Sequence, residues 1–383
     1  MLHKKNTLAI INRSFWPQSQ VIGESLLRLA ETVSRKKKVV VITQSDGKLK
    51  SKLTSANRGL GLVMQDALSY ANSSSSIFKR GLDAVFFMVW TLLCLFRSRP
   101  EIIYVSTNPP ILVPFVVFIY SKIFGARYCY HLQDIHPEAA NIIVRLNPLV
   151  FRILQRIDNI TMRNADSLIT LSEDMKAYII ERSGTGAPIH LLDNPAFDVS
   201  IKDSASRING IVFCGNAGRL QRIPLILEAV AEYIDQGGIL KFSFIGAGFY
   251  SKQIKALAEK YESVDYWGFL PANEAADIVD QHRWALLPID DEVTKYAFPS
   301  KSSSYAVSNC KILAICGKDT SVAKWVSDNG IGKTCDPQKN NIIKEFFKIE
   351  EEEQTIHEGS SEILKKRLKI DFFIQNISEI LKI

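Results

Sequence analysis

The chain has 383 residues, of which 46% are hydrophobic and 23% are charged. These values exclude an intrinsically disordered protein, and the length favours two domains over one. The net charge of +7 is uneven, because residues 1–200 hold 24 Lys and Arg against 15 Asp and Glu while the remainder is slightly acidic. The first half is therefore expected to face a phosphorylated substrate, an anionic lipid or a nucleic acid. Nucleic acid ranks last, since the basic residues are not interleaved with aromatic residues that could stack on bases.

Two apolar stretches of the first half bear on membrane contact. Ala84–Phe96 carries no charge but is shorter than the roughly 20 residues of a spanning helix. Ile102–Ser121 is long enough but is interrupted by Asn108-Pro109-Pro110. The start of the chain has too short an apolar run for a signal peptide, and six cysteines without paired spacing fit a reducing compartment. We expect a cytoplasmic protein that contacts the inner membrane face without spanning it; a buried core is the alternative for this region.

Residues 1–195 alternate strand-like and helix-like segments, which predicts a parallel α/β domain. Residues 46–75 are polar and rich in Ser, which predicts a mobile loop. The predicted strands are Leu8–Asn12, Val39–Thr43, Ile102–Val105, Arg127–Gln133 and Ser167–Leu171. The predicted helices are Val21–Val33, Ile111–Ile123, Leu149–Asn164 and Glu173–Arg182, the last capped by Ser172.

Residues 184–210 are rich in Gly, Pro and polar residues and predict the connection between two domains. A second α/β alternation follows, so we predict a second domain at 205–350 and a charged helical tail at 351–383. The predicted strands are Ile211–Cys214, Phe242–Ile245, Val264–Trp267, Trp284–Pro288 and Lys311–Ile315. The predicted helices are Ile223–Gln236, Ser251–Tyr261, Asn273–Gln281 and Ser302–Val307.

The segment that follows the first strand of the second domain has the composition of a phosphate-binding turn. It contains Gly215, Asn216 and Gly218, whose small size lets the backbone approach a diphosphate ahead of a helix. Arg219 or Arg222 could add a bidentate phosphate contact. A tight turn with surface arginines is the structural alternative.

Three further glycines lie where a strand leads into a helix. Gly246 and Gly248 repeat the turn after the next strand, and Gly23 lies at the end of the first βα loop, where open α/β sheets bind ligands. Each of the three is equally explained by a tight turn or by the start of a helix.

Pro299-Ser300-Lys301 precedes a helix and supplies a hydroxyl group and a cation. This combination predicts a binding position for an anion. The structural alternative is that Pro and Ser simply begin the helix.

The densest polar cluster, residues 131–138, lies at the carboxyl end of a predicted strand, where α/β active sites form. Its side chains could act as a base or as hydroxyl ligands, and we predict the catalytic group among them. A zinc site is conceivable, but the spacing lacks the metalloprotease helix pattern, so we predict no metal. A purely structural cluster is the remaining alternative. The candidate residues are His131, Asp134, His136 and Glu138.

The order of these segments resembles family 4 of the retaining glycosyltransferases, which have the GT-B fold. Within that family the chain is similar to the bacterial O-antigen and capsule branch, including transferases of N-acetyl-fucosamine type. The number and order of the matching segments carry the resemblance over nearly the whole chain. The matching segments are residues 12–17, Gly23-Glu24, 106–110, 133–138, 171–175, 215–221, 246–248, 267–270 and 299–301.

The resemblance implies two Rossmann-like domains that face each other across a cleft, with a nucleotide diphosphate sugar, expected to be a UDP-sugar, held mainly by the second domain. Arg219 and Lys301 would lie near the diphosphate, and the base would lie against the loop of Trp267, Gly268, Phe269 and Leu270. A polyprenyl-diphosphate-linked acceptor would dock on the first domain near Asp134. The implied reaction is a transfer with retained configuration that needs neither metal nor cofactor, and that builds a surface polysaccharide.

The sequence also departs from the family. Many members carry two glutamates eight positions apart, and the aligned residues here are Tyr296 and Ser304. An arginine and a lysine of other members are replaced by Asn216 and Gln221, which leaves Arg219 as the cation of that turn. Two alternatives to a transferase therefore stay open: a non-catalytic partner subunit, and a nucleotide-sugar epimerase of the same fold. A dinucleotide dehydrogenase is disfavoured because no GxGxxG follows the first strand.

Overall fold

The computed structural model describes residues 7–71, 77–196, 207–308, 310–352 and 360–383. The chain divides into two compact units. The first consists of Met1–Asn194 together with Ile370–Ile383, and the second consists of Pro195–Lys369. Each unit is a parallel β-sheet with helices packed against it, so the predicted α/β architecture is confirmed.

The first unit is built on a seven-stranded sheet in the order β3-β2-β1-β4-β5-β6-β7, and every pair of neighbouring strands is parallel. Its strands are β1 (Thr7–Ile11), β2 (Lys38–Ser45), β3 (Val63–Leu68), β4 (Ile102–Ser106), β5 (Arg127–His131), β6 (Ser167–Thr170) and β7 (Ile189–Leu191). Its helices are α1 (Val21–Ser34), α2 (Leu49–Ser55), α3 (Ile77–Ser98), α4 (Leu112–Phe124), α5 (Glu138–Ile143), α6 (Pro148–Arg163) and α7 (Glu173–Ser183).

The second unit is built on a six-stranded parallel sheet in the order β10-β9-β8-β11-β12-β13. Its strands are β8 (Ile208–Cys214), β9 (Lys241–Ile245), β10 (Val264–Gly268), β11 (His282–Pro288), β12 (Lys311–Ile315) and β13 (Gly332–Cys335). The helices that follow are α8 (Ile223–Asp235), α9 (Ser251–Lys260), α10 (Ala272–Asp280), α11 (Lys301–Val307), α12 (Ser321–Asp328), α13 (Lys339–Glu351), α14 (Glu362–Leu368) and α15 (Ile370–Leu381).

The central strands of both sheets are apolar on both faces because helices cover each side. All five residues of β1 and of β4 are buried, as are Val39–Ser45 of β2. Since all strands of one sheet are parallel, their carboxyl ends lie at a single edge. The turns that leave this edge therefore come together, and the candidate residues lie in these turns or in the strand ends and first helical turns that flank them.

The loop predicted at 46–75 is wrong for its described part. Residues 49–55 form α2 and residues 63–68 form β3, which pairs with β2; residues 72–75 lie outside the described residues. The boundary between the two units, after Asn194, lies within the predicted connection at 184–210. The described part of this segment also contains β7, and its residues 197–206 lie outside the described residues. The predicted cap of α7 is confirmed, because the Ser172 side chain accepts a hydrogen bond from the Met175 N–H.

The segment predicted as one helical tail, 351–383, is divided between the two units. Helix α14 belongs to the second unit, whereas α15 belongs to the first, where it packs against α1 and forms an ion pair between Arg28 and Asp371. The chain thus returns to its first unit after completing the second. Residues 353–359 lie outside the described residues.

Candidate active site

The turn after β8 and the lysine that begins α11 meet at the carboxyl edge of the second sheet. Gly215 has a φ of +143°, a region that favours glycine. A Cβ placed at Gly215 would lie 3.7 Å from Lys301 Cδ and 3.8 Å from Lys301 Nζ, so the lysine side chain runs directly over the turn. Sequence reasoning chose both residues, and the structure brings them together.

The Lys301 ammonium is buried and has no hydrogen-bond partner among the described residues. Its Nζ lies 4.2 Å from the centre of the Phe213 ring, a cation–π contact that offsets only part of the lost hydration. Burial lowers the pKa of Lys301 to about 7. A buried cation without a partner is costly, and an anion that bound beside it would remove that cost.

Phe213 and Tyr305 complete this position, and sequence reasoning missed both. The buried Tyr305 hydroxyl accepts a hydrogen bond from the Cys214 N–H at 2.8 Å and donates one to the Cys214 carbonyl at 3.1 Å. It thereby ties α11, which carries Lys301, to the last residue of β8. Neither residue belongs to a recognisable motif; the only sequence signal is an aromatic residue two positions before Gly215 and another four positions after Lys301.

The glycines of the β9 turn are explained by packing against the β8 turn. A Cβ on Gly246 would overlap the Gly215 carbonyl, and a Cβ on Gly248 would lie 2.5 Å from the Ala217 carbonyl oxygen. Backbone hydrogen bonds join the same turns, from Gly215 N to the Ile245 carbonyl at 2.9 Å and from Ala217 N to the Ala247 carbonyl at 3.2 Å. The small size of these glycines is therefore required for packing of the β9 turn against the β8 turn, whatever their contact with a ligand.

The two arginines of the β8 turn have different roles. Arg222 is held by Asp291 at 3.1 Å and by the Ile289 carbonyl at 2.9 Å, so it is a structural residue. Arg219 is exposed, and its guanidinium stacks over the exposed ring of Phe249 at 4.4 Å. Asn216 is exposed as well, and Gly218 lies between the side chains of Asn216 and Gln221. Arg219 thus remains accessible to a ligand, whereas Arg222 does not.

The last residues of β10 and the loop that follows them present exposed aromatic side chains. Trp267 is 49% exposed and Phe269 is 78% exposed, which is unusual for large apolar residues; Leu270 is partly exposed. The end of β10 is joined to the turn after β9, because Gly246 N donates to the Gly268 carbonyl at 2.6 Å. An aromatic surface beside such a turn can stack on a nucleotide base. Before α11, Pro299 is partly exposed and Ser300 is exposed, and no side-chain cap is formed by Ser300.

The candidate catalytic loop lies at the carboxyl edge of the first sheet. Asp134 follows β5, and its N–H points to the Thr107 hydroxyl, at 3.4 Å, in the turn after β4. Thr107 N in turn donates to the His131 carbonyl at 3.2 Å. The turn after β1 is joined to the end of β4, because the Ser106 hydroxyl donates a hydrogen bond to the Asn12 side-chain oxygen. Three strand ends therefore position Asp134.

The Asp134 carboxylate has no hydrogen-bond or ion-pair partner among the described residues, although the side chain is only partly exposed. Burial raises the pKa of Asp134 to about 6. The neighbouring His136 is also partly buried, and its pKa is lowered by burial to about 4, so its imidazole is neutral at pH 7. Asp134 is thus a carboxylate with basicity suited to accepting a proton near neutral pH.

The other two candidates of this loop, His131 and Glu138, are buried and already bonded to other side chains of the protein. His131 is fully buried at 0% exposure, and its Nδ1 lies 2.5 Å from the Tyr104 hydroxyl; burial lowers its pKa to about 3. The buried Glu138 carboxylate accepts hydrogen bonds from three side chains, at 2.6–2.9 Å, which are those of Arg182, Gln155 and Tyr178. The geometry therefore favours a structural role for His131 and Glu138 over direct contact with a substrate.

Gly23 lies in the first turn of α1, where it is buried. A Cβ at this position would lie 2.7 Å from Trp16 N and 2.8 Å from the Phe15 carbonyl carbon. The glycine is thus required for packing of α1 against the turn after β1. Contact with a donor nucleotide is not needed to explain it.

Within the described residues, no group of three or more His, Cys, Asp or Glu side chains has a geometry that could hold a metal ion. The sites described above are therefore built from a lysine, backbone turns, exposed aromatic rings and a single carboxylate.

Two parallel α/β units of this topology define the GT-B fold. No protein-family model matches the chain. The chain is 25% identical over 297 residues to WbjE of Pseudomonas aeruginosa, named as a probable glycosyltransferase, and the match covers 72% of this chain and 73% of that protein.

Solved structures agree on the fold. One is Anabaena Alr3699/HepE in complex with UDP-glucose, with a TM-score of 0.68, 15% identity, and coverage of 98% of this chain and 99% of that chain. Another is WaaG, a glycosyltransferase involved in lipopolysaccharide biosynthesis, with a TM-score of 0.62, 12% identity, and coverage of 97% and 95%. At these identities the likeness concerns the fold alone.

Proposed function

We propose that this protein is a glycosyltransferase that moves a sugar, of the N-acetylated or deoxy hexose class, from a nucleotide diphosphate sugar to an acceptor hydroxyl. The observation that carries the proposal is the buried Lys301 ammonium, which lacks a partner among the described residues and lies over the Gly215 turn. A diphosphate fits this position because it offers negative charge to Lys301 and acceptor oxygens to the turn. The similarity to WbjE and to a UDP-glucose complex of the same fold supports the same class of donor.

The chemistry follows from where charge develops. The bond between the anomeric carbon and the diphosphate oxygen breaks, and negative charge builds up on the leaving nucleotide, next to Lys301. A cation already fixed at that place stabilises the transition state more than the ground state. The acceptor oxygen bonds to the anomeric carbon, and we assign Asp134 as the group that binds the acceptor hydroxyl and accepts its proton. Retention of configuration and independence of metal are part of this proposal.

The acceptor is proposed to be a lipid-linked diphosphate sugar used in surface polysaccharide synthesis on the cytoplasmic side of the membrane. The basic first half of the chain suits such an anionic acceptor, with a net charge of +9 over residues 1–200. The involvement of WaaG, of the same fold, in lipopolysaccharide biosynthesis supports this setting.

Two alternatives predict different products. A non-catalytic subunit is motivated by Tyr296 and Ser304 in place of paired glutamates, and it would bind the donor without any turnover. An epimerase of the same fold would convert the donor sugar without an acceptor. Incubation with a panel of sugar nucleotides, with and without lipid-diphosphate acceptors, separates the three by mass spectrometry.

The binding proposal is tested by calorimetry with UDP and UDP-glucose. Lys301→Met removes the charge but keeps most of the side-chain volume, and we expect about a 10- to 100-fold loss of affinity, the range for a charge-assisted hydrogen bond. Lys255→Met is the matched control, because Lys255 is an exposed lysine on α9 with 68% side-chain exposure. Equal affinities for wild type and Lys301→Met would remove Lys301 from the donor site.

A further inference from the structure

Helix α3 has two faces of opposite character. Its exposed face is a continuous apolar stripe, with residues spaced three or four apart, that runs almost the full length of the helix. At 1.5 Å per residue the stripe is about 27 Å long. The exposed side chains, between 38% and 76% exposed, are Phe78, Leu82, Val85, Phe86, Val89, Leu93 and Phe96.

The opposite face of α3 is fixed to the first unit. Asp83 is 3% exposed and forms an ion pair with Arg13, and its Oδ1 accepts hydrogen bonds from Gln44 Nε2 at 2.9 Å and from Tyr70 N at 3.0 Å. Phe87, Thr91 and Leu95 continue this buried face. By length and composition α3 could cross a membrane, and only 28% of its most apolar stretch is buried within the protein. Crossing would, however, break the Asp83 network and leave a carboxylate in hydrocarbon, which is costly.

Helix α4 extends the apolar face of α3. Phe96 of α3 contacts Phe124 of α4, with ring centres 5.3 Å apart. Near this contact, Ile119 and Ile123 of α4 are exposed, at 37% and 59%. The exposed side chains of α3 and α4 therefore form one surface, which we call the α3–α4 apolar face.

The charged residues that α3 and α4 contribute at the ends of the α3–α4 apolar face are all basic. Lys79 and Arg80 lie at the start of α3, and Arg97 and Lys122 lie near the ends of α3 and α4, all exposed. The Arg99 guanidinium, just beyond α3, stacks on the Phe124 ring at 4.7 Å. Asp83, the one acidic residue within these two helices, faces the interior. Basic side chains around an apolar surface complement the anionic head groups and acyl chains of a bilayer.

We propose that the α3–α4 apolar face inserts into the head-group region of an anionic bilayer, with α3 lying along the membrane plane rather than across it. The apolar stripe meets the acyl boundary, and the basic residues at its ends bind lipid phosphates. A second copy of the chain fits this face less well, because pairing the two surfaces would bring like charges together. The proposal does not depend on the activity proposed above.

The experiment is flotation of the full chain with vesicles of phosphatidylcholine alone, or of phosphatidylcholine and phosphatidylglycerol in equal parts. Wild type is expected to float with both and more strongly with the anionic vesicles. Leu82→Gln/Leu93→Gln should lower the partition coefficient by about tenfold or more, as expected for removing two leucines from an apolar contact. The matched control is Ile239→Gln/Ile363→Gln, since these residues of the second unit are 73% and 80% exposed.

Arg97→Gln/Lys122→Gln provides a second variant. It should lower binding to anionic vesicles by about fivefold per charge and leave binding to phosphatidylcholine unchanged. Circular dichroism and thermal unfolding show whether each variant is folded. The proposal is overturned if wild type does not float, or if both variants float like wild type. It is also overturned if light scattering shows a wild-type dimer that the leucine substitutions dissociate and that does not bind vesicles.

Discussion

The two candidate sites differ in how the fold satisfies their charges. In the second unit the central cation, Lys301, is buried without a partner among the described residues. In the first unit the loop 131–138 is surrounded by charges that are already paired: Glu138 and Asp158 both bind Arg182, whose side chain is only 4% exposed. The loop leaves a single unpaired carboxylate, Asp134, where three strand ends meet.

This difference distinguishes charged side chains that stabilise the fold from charged side chains that remain available to bind a ligand. Arg182 Nη1 donates to the Glu138 carboxylate at 2.6 Å and to the His136 carbonyl at 2.9 Å, so it fixes the backbone of the candidate loop. A paired buried charge supports a shape, whereas an unpaired one costs free energy until a substrate neutralises it. We expect Asp134 and Lys301 to belong to the second class and Arg182 to the first.

The largest expected effect is on transfer by Asp134→Asn. If Asp134 accepts the acceptor proton, the substitution should lower kcat by about 10²- to 10⁴-fold while UDP affinity stays unchanged. In wild type the rate should rise with pH through about 6, because burial raises the pKa of Asp134 to about 6 and the base must be ionised. The measurement is kcat and kcat/KM against pH with a donor and an acceptor identified by mass spectrometry.

Glu173→Gln is the control for this substitution, because it also replaces a carboxylate of the first unit by an amide but at an exposed position, with 72% side-chain exposure. It should leave kcat and its pH dependence unchanged. Asp134 loses its assigned role if Asp134→Asn transfers sugar at the wild-type rate.

The sequence predicted the central strands of both sheets because these strands are apolar on both faces. The strands it missed, β3, β7 and β13, all lie at sheet edges. Edge strands are only partly covered, so their residues are mostly half-buried and lack a strong apolar pattern. The return of α15 to the first unit could not be predicted either, since amphipathic helices do not specify which of two units they cover.

The sequence predicted where the sites lie but not what each residue does. Motif position selected Gly215 and Lys301, which lie next to each other in the second unit, and Asp134, a partly buried carboxylate of the first unit. The same reasoning selected His131 and Glu138, which already form hydrogen bonds with Tyr104 and Arg182, respectively. Residue type and order do not reveal partners that are distant in sequence, and the Arg182–Glu138 pair spans 44 positions.

The next largest expected effect is the loss of unfolding free energy in Arg182→Met. Arg182→Met leaves two buried carboxylates without their cation, and breaking a buried pair in this way costs about 3–5 kcal/mol of unfolding free energy. Urea unfolding of the purified variants measures this loss. Arg163→Met, at an exposed position of α6, is the matched control and should change the unfolding free energy by less than about 0.5 kcal/mol.

Adding Glu138→Gln and Asp158→Asn to Arg182→Met tests whether the two buried carboxylates cause the loss of stability. The triple variant should recover part of the lost stability, because the two uncompensated charges are gone. A loss below about 1 kcal/mol for Arg182→Met alone would show that the network is not the main support of the loop.

The smallest expected effect is the pH dependence that Lys301 gives to stability and to UDP-glucose affinity. It is also the sharpest test of whether Lys301 binds a ligand or only stabilises the fold. Burial lowers the pKa of Lys301 to about 7, so above pH 7 the free protein has a neutral lysine whereas the unfolded chain still binds the proton. The unfolded state then carries more protons, and stability without ligand should rise with pH above about 7.

Binding of UDP-glucose should respond in the opposite direction. Its diphosphate does not titrate in this range, and it favours the charged lysine, so each bound ligand must bring back one proton. Affinity should therefore fall by up to about tenfold per pH unit above 7. Lys301→Met should abolish both trends, while Lys255→Met should keep both. A structural lysine would change stability with pH but not affinity, and only a cation that neutralises the donor diphosphate moves the two in opposite directions.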